Sequence, residues 1–253
     1  MLGIPLAVTD YEQVVSWMHR MIDSGARGYA TAAAVNLVMS AQENPATMDA
    51  VLSATLAVPD GQPLVWALHA LGHPAATRVY GPDLMACFCA SAARAGTPVY
   101  LYGGRTPEAL TTLEERLRER FPGLRIAGGF SPPFRSPTAE EDELHARAID
   151  ASGAQVVWVG TGQPKQELWM RRMRPRLSAP LLVGVGAAFD FHAGLISQAP
   201  PWMQRAGLEW VYRFSREPRR LWRRYLRYNP LFIAGFARQY AEHRRSGRRS
   251  GAS

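Results

Sequence analysis

The chain has 253 residues, 47% of them hydrophobic, and a formal net charge of +8. This length fits one large α/β domain or a domain with an appendage, and the composition excludes disordered, collagen-like and fibrous classes. No apolar run reaches the roughly 18 residues of a membrane-spanning helix, so no transmembrane helix is expected. Met1–Asp10 lacks a basic segment followed by a long apolar run, so no secretory signal is expected.

Short apolar or β-branched runs alternate with helical patterns through residues 1–199, which we predict to form one domain. The strand-like runs are Gly28–Thr31, Thr55–Val58, Pro98–Leu101, Arg125–Ala127, Gln155–Val159 and Leu181–Val185. Helices are predicted over Pro107–Arg120, with Thr106 as its cap, and over Thr138–Ala151. This alternation predicts a largely parallel sheet with helices on both faces.

Ligands bind beyond the carboxyl ends of the strands in such sheets. Four turns bearing Gly or Asp follow predicted strands, namely Pro59-Asp60-Gly61, Tyr102-Gly103-Gly104, Gly160–Pro164 and Gly186–Asp190. We expect them to converge on one rim. The Pro-rich segment Ser131–Pro137 is predicted to be a surface connection or a lid.

Two of these turns are candidates for phosphate binding. The segments Gly103-Gly104 and Gly160–Lys165 let backbone N–H groups approach an anion, and a following helix N-terminus adds a favourable dipole. Pro164 fits the first position of that helix. Lys165 is the only lysine among 29 basic residues. It is a candidate for a pyrophosphate contact because ammonium and guanidinium groups are not interchangeable, although chance in an arginine-rich chain is the alternative.

Asp60 is a candidate general base because a carboxylate on a tight turn can point into the rim. Its alternative role is an Asx-turn or a cap for the following helix. Asp190 raises the same question, and there a capping or loop-bracing role is favoured. The chain has no Asp-x-Asp pair. In a nucleotide-sugar transferase, cationic side chains and backbone donors would then stabilise the leaving diphosphate.

Other possible metal or thiol sites are weak. His69 and His73 have helical spacing, but no third ligand is obvious and a structural role is favoured. Cys87 and Cys89 are expected to be free thiols that face different ways. No metal site is therefore predicted.

The positive charge is concentrated at the C-terminal end. From Arg205 to Ser253 there are 13 arginines and 3 glutamates. Arginines spaced by three and four residues indicate one helical face, and they are Arg213, Arg216, Arg220, Arg223 and Arg227. Pro218 is predicted to begin a second helix, Asn229-Pro230 to break it, and residues 244–253 to be disordered.

Aromatic residues interleave with these arginines over residues 200–243, which we predict to be an amphipathic, basic appendage that binds an anionic membrane surface. The alternative to membrane binding is a structural role, in which the arginine face is solvated and the aromatic face packs against the rest of the protein. A nucleic-acid-binding protein that uses the arginines is the rival function, but it leaves the four rim turns unexplained. A nicotinamide-dependent oxidoreductase is a further rival, and the absence of G-x-G-x-x-G argues against it.

Taken in order, the segments from about Thr31 to Tyr225 resemble the WecG/TagA/CpsF family of bacterial glycosyltransferases. The matching segments are Pro59–Trp66, Arg78–Met85, Tyr102–Gly104, Gly160–Glu167, Gly184–Phe191, Ala199–Gln204, Gly207–Trp210 and Tyr212–Arg220.

The resemblance implies a Rossmann-like domain with a basic appendage and an inverting, metal-independent enzyme without a cofactor. The donor would be a UDP-sugar carrying N-acetylmannosamine, its uronic acid or a hexose. The acceptor would be a polyprenyl-diphosphate-linked sugar used in cell-surface polysaccharide or exopolysaccharide synthesis. The protein would be cytoplasmic and peripheral on the inner face of the membrane, with no nucleic-acid partner. Whether it forms a homo-oligomer is left open.

The resemblance also implies roles for residues. Asp60 matches the family's catalytic aspartate, and Arg213, Arg220 and Arg223 match appendage arginines that complete the active site. The substrate-binding candidates in or beside the matching segments are Asn36, Arg78, Gly81, Asp83, Gly103, Gly104, Gly160, Gly162, Gln163, Lys165, Gln166, Glu167 and Asp190. One departure lies at Thr31–Asn36, where alanines stand at positions 32–34 in place of expected polar groups, with Asn36 nearby. This change could alter sugar specificity or weaken the enzyme.

Overall fold

The computed structural model describes the backbone of residues 1–250 and their side chains apart from those of Pro201, Arg220, Arg223, Arg224 and 247–250. The strands are β1 Gly28–Ala33, β2 Leu56–Pro59, β3 Val99–Gly103, β4 Ile126–Phe130, β5 Val156–Gly160 and β6 Leu181–Gly184. They form one parallel sheet with the order β2-β1-β6-β5-β3-β4. The predicted α/β fold with a parallel sheet is therefore confirmed.

The helices over the described residues are α1 Tyr11–Asp23, α2 Val35–Glu43, α3 Pro45–Leu52, α4 Gln62–Ala70, α5 Gly81–Ala95, α6 Pro107–Arg120, α7 Ala139–Ala151, α8 Lys165–Met173, α9 Ala188–His192, α10 Pro201–Arg205, α11 Glu209–Arg216 and α12 Pro218–Ser250. The predicted helix α6 is confirmed, and the Thr106 hydroxyl accepts from the N–H of Ala109 at 3.2 Å. Thr138 is the N-cap of α7 and forms a capping box with Glu141.

Helices cover both faces of the sheet, which is why the central strands are apolar along their whole length. Adjacent residues of a strand point to opposite faces, so Trp158 and Val157 lie in different core clusters. Trp158 meets Phe88 of α5 edge-on, with ring centroids 5.8 Å apart. Val157 lies with Met170 of α8 on the other face. The strand ends are thereby held on a rigid frame.

The long helix α12 packs back onto the body. Phe232 is only 5% exposed and lies in a third cluster with Leu37 of α2, while the Tyr228 hydroxyl donates to Glu43 at 2.9 Å. The helix runs through Pro230, so the predicted break at Asn229-Pro230 is wrong. Proline costs a helix interior about 3 kcal/mol. Burial of the flanking aromatic residues offsets that cost.

Two further predictions about the appendage are corrected by the structure. The arginine series is not one helical face, because α11 ends at Arg216 and α12 begins at Pro218, as predicted for Pro218. Residues 244–250, expected to be disordered, continue α12. Arg244 and Arg245 are good helix formers that extend an already nucleated helix. Residues 251–253 lie outside the described residues. None of the helices described over residues 1–250 has the length and hydropathy to cross a membrane.

Candidate functional site

A cavity of about 1350 Å³ lies at the carboxyl ends of the strands. All four predicted turns contribute to its wall, as expected from the parallel topology. The Pro-rich segment after β4 lines it as well, and α11 and α12 of the appendage close another side. Residues that represent these walls are Asp60, Gly104, Gly162, Gly186, Phe134, Arg213 and Phe232.

Asp60 follows β2, and its N–H donates to the carbonyl of Ala33 at 2.8 Å. Its Oδ1 accepts from the N–H of Gly81, at the start of α5, at 2.7 Å. Asp60 does not cap α4, because the N-cap there is Gly61 and no side chain bonds to it. Burial raises the pKa of the carboxyl to about 6, against the lowering effects of Arg78, the Gly81 N–H and Arg213. A base with a pKa near neutrality suits proton transfer at physiological pH.

Arg78 links this carboxylate to the appendage. Its Nε donates to the backbone carbonyl of Asp60 at 2.5 Å, and its terminal nitrogen pairs with Glu209 of α11, also at 2.5 Å. The guanidinium lies 4.1 Å from the centroid of the Tyr80 ring. Arg78 therefore lines the cavity, with two of its three guanidinium nitrogens engaged by these two partners.

Arg213 extends from α11 into the cavity. Its guanidinium carbon is 6.0 Å from the ring centroid of Phe191, and its Nε is buried without a hydrogen-bond partner. A desolvated donor of this kind favours an anionic ligand. The other two predicted arginines, Arg220 and Arg223, have side chains outside the described residues.

The glycine turns divide into packing and lining positions. Gly103 has φ 147°, and an added Cβ would lie 2.7 Å from the carbonyl carbon of Gly160, so the close approach of β3 and β5 requires glycine there. Gly104, Gly160 and Gly162 line the cavity. An added Cβ at Gly162 would meet nothing within 4 Å. The backbone at Gly162 is thus open to a ligand.

The chain matches the family described as glycosyl transferase WecG/TagA/CpsF over residues 1–246. The chain belongs to this family. The match includes α10, α11 and most of α12 as well as the sheet, so the appendage is part of the family pattern. Membership makes this protein a glycosyltransferase and implies, in general terms, a sugar-nucleotide donor and a lipid-linked acceptor.

In this glycosyltransferase the single lysine has a local partner. The Nζ of Lys165 donates to the carbonyl of Phe134 at 3.0 Å and lies 4.0 Å from the centroid of its ring. It therefore holds the Pro-rich segment against α8. Pro164 was predicted to be the first residue of this helix, but it is the N-cap, and the helix begins one residue later, at Lys165. Gln163, beside it, donates to the carbonyl of Ala32 at 2.6 Å. Both side chains line the cavity.

Gln166 and Glu167 are fully buried beneath the rim and do not line the cavity. Oε1 of Glu167 accepts from Thr31 at 2.6 Å and from Gln166 at 2.8 Å, and Gln166 accepts from the N–H of Gly186 at 2.9 Å. Burial raises the pKa of Glu167 to about 7, while the Oε2 atom has no partner. These residues join β1, α8 and the turn after β6 and so shape the site from below.

The remaining predicted residues are spread around the rim. Asn36 lines the cavity at the start of α2. Asp83 does not line it and accepts from the Tyr11 hydroxyl at 3.3 Å. Asp190 pairs with Arg105 at 2.9 Å, which fits the favoured bracing role.

His69 has a structural contact. Its Nε2 lies 2.7 Å from the carbonyl of Ala76, which fits the structural role favoured for it. Cys87 is exposed and Cys89 is buried, and both are free, as expected. Within residues 1–250 no group of three His, Cys, Asp or Glu side chains is placed to hold a metal ion.

Sequence reasoning missed Arg105, Glu209, Trp66 and Trp210, all of which line the cavity. Arg105 directly follows Gly103-Gly104, and Glu209 and Trp210 close the matching segment Gly207–Trp210. Their location in or beside these motifs could therefore have identified them as site residues. Trp66 closes another matching segment, Pro59–Trp66, so its position offered the same signal.

Proposed function

We propose that this glycosyltransferase moves N-acetylmannosamine, its uronic acid or a hexose from a UDP-sugar to a polyprenyl-diphosphate-linked sugar, with inversion and without a metal ion. The observation that carries the proposal is Asp60. Its carboxylate borders the cavity, has a pKa of about 6, and is near the buried, unsatisfied donor of Arg213. A base and an anion-stabilising group on one cavity are what a single displacement requires.

In the proposed reaction, Asp60 takes the proton of an acceptor hydroxyl while that oxygen attacks the anomeric carbon of the donor. The bond from this carbon to the UDP oxygen breaks on the opposite side, and UDP leaves as an anion. The N–H of Gly81 holds Oδ1 of Asp60, which leaves Oδ2 for the acceptor. Arg213, the open backbone at Gly162 and the cavity-lining backbone at Gly104 supply donors to the diphosphate.

The test is a UDP-release assay with a panel of UDP-sugars and a short-chain prenyl-diphosphate-sugar acceptor. We expect Asp60→Asn to abolish turnover while UDP affinity stays within a few-fold, because asparagine keeps the shape but cannot accept the proton. Asp49→Asn is the matched control, since Asp49 pairs with Arg171 on the surface. Retained turnover in Asp60→Asn would remove Asp60 as the base.

The appendage supports association with an anionic membrane on the cytoplasmic side, where the lipid-linked acceptor would be met. Large apolar side chains are exposed on α10 and α12, with exposed fractions of 60% for Trp202, 68% for Leu226 and 67% for Ile233. Arginines such as Arg219 lie on the same helices. Apolar insertion together with roughly 1 kcal/mol per basic residue is enough for peripheral binding.

Vesicle co-sedimentation tests this part of the proposal. Binding should be stronger to vesicles containing phosphatidylglycerol than to phosphatidylcholine vesicles, and should weaken in Leu226→Ser. Leu144→Ser is the matched control, because Leu144 is 66% exposed on α7 of the body. Equal binding by both variants, or no preference for the anionic lipid, would refute the membrane role of the appendage.

A further inference from the structure

Both ends of α11 are paired with arginines of the body. Glu209, its first residue, pairs with Arg78, and the two side chains are only 13% and 15% exposed. Glu217, directly after the helix, pairs with Arg105 at 3.2 Å, where Arg105 is 44% exposed. Shielded ion pairs are harder to break than exposed ones. The Arg78 pair is therefore the stronger of the two attachments.

The turn before α11 is seated on the body as well. Gly207 has φ +67°, and an added Cβ would lie 2.5 Å from the ring of Trp66 on α4. The backbone thus approaches the indole more closely than any other residue would permit. This contact fixes the entry into α11 and brings Glu209 to Arg78.

Glu209 also belongs to the charge environment of Asp60. The groups that face this carboxylate from the surrounding elements are Arg78 and Tyr80 before α5, the Gly81 N–H of α5, Glu209 and Arg213 of α11, and Tyr11 of α1. Arg78 lowers the pKa of Asp60, and Glu209 raises it. Without Glu209, the guanidinium charge next to Asp60 would be uncompensated and would favour the ionised carboxylate.

We propose that Glu209 is a positioning residue that acts on Asp60 through Arg78, so that the base is set only when α11 is docked on the body. This inference rests on the proposed role of Asp60. It makes the appendage more than a source of arginines and membrane contacts. Docking of one helix would deliver Arg213 to the cavity and adjust the proton acceptor in the same step.

The first test is the pH profile of kcat/KM for Glu209→Gln. Glutamine keeps the shape and removes the charge, so the acidic limb set by Asp60 should move to lower pH, with a reduced plateau. Glu209→Asp keeps the charge and should restore the position of the limb. Glu143→Gln is the matched control, because it removes an exposed pair with Arg147 on α7. A Glu209→Gln limb that coincides with that of the wild type would overturn the proposal.

The second test needs no substrate. Amide hydrogen exchange over residues 208–217 should be faster in Glu209→Gln than in the wild type by about tenfold or more, as for loss of one partner of a shielded pair. The control Glu143→Gln should leave these amides unchanged. Unchanged exchange in Glu209→Gln would overturn the docking role.

The two proposals can fail separately. If no donor and acceptor pair is turned over, the proposed function fails, but exchange still reports on docking. The pH dependence of the unfolding free energy, compared with and without Asp60→Asn in the Glu209→Gln background, then reports the titration of Asp60. The same comparison in the wild-type background gives the reference, and an Asp60 titration at the same pH in the two backgrounds would overturn the action of Glu209 on Asp60.

Discussion

Replacing Asp60 by asparagine should stabilise the protein at neutral pH even though it removes the proposed base. Asparagine is nearly isosteric, and its carbonyl can still accept from the N–H of Gly81, which holds Oδ1 at 2.7 Å. What changes is the buried charge. Functional sites often carry a destabilising group of this kind, because the property that makes it reactive opposes folding.

The magnitude follows from linkage. The pKa of Asp60 is raised from 3.8 to about 6. A group whose pKa is raised on folding stabilises the folded state fully when the pH is below the pKa of the unfolded chain. This contribution is lost as the pH rises through the folded pKa of about 6. The full shift corresponds to at most about 3 kcal/mol. The asparagine variant resembles the protonated acid, so its advantage should grow by about 1.4 kcal/mol between about pH 5 and about pH 8.

Urea denaturation of both proteins at these two pH values measures the difference. Other titrating groups, including buried Glu167, are the same in both chains and should cancel. Asp49→Asn again serves as the control, since its carboxylate is exposed. An Asp60→Asn protein that is less stable than the wild type, or a difference independent of pH, would refute the assignment of a desolvated, raised carboxyl to Asp60.

Two further outcomes concern the frame of the site. Phe232→Ala should lower the free energy of unfolding by about 3–5 kcal/mol in urea, because its ring is buried between α12 and the body, whereas exposed Ile233→Ala should cost under about 1 kcal/mol. Similar losses for both would mean that α12 is not docked. The wild type should lose stability as the pH rises through about 7, because buried Glu167 ionises there, and Glu167→Gln should lose less because glutamine does not ionise. Urea denaturation at several pH values measures this, and an equal dependence of the unfolding free energy on pH in both proteins would contradict it.

Several features could be predicted locally. The α6 cap at Thr106, the start of α12 at Pro218 and the convergence of the four rim turns all follow from residue types and from the geometry of parallel strands. The break at Asn229-Pro230 could not be judged in this way. Local preference favours a stop there, and burial of Phe232 against α2, which is remote in sequence, overrides it.

The same distinction separates the residues of the site. Sequence made Lys165 a candidate for a pyrophosphate contact, and folding adds a contact of its ammonium with the carbonyl of Phe134. Glu209 lies in the matching segment Gly207–Trp210 but received no role of its own, because its pairing with Arg78 arises only when the chain folds. A side chain's chemistry is local, but its partner is decided by packing between distant segments.

The sequence by itself therefore determined the α/β class, the family and the candidate base, because strand periodicity, turn residues and the order of the motifs can be read directly from the sequence. Only the tertiary structure decided how the base is set. The raised pKa of Asp60 and its contact with Gly81 depend on burial, on Arg78 and on a returning helix. Desolvation and charge pairing are properties of three-dimensional neighbours, and no spacing in the sequence specifies them.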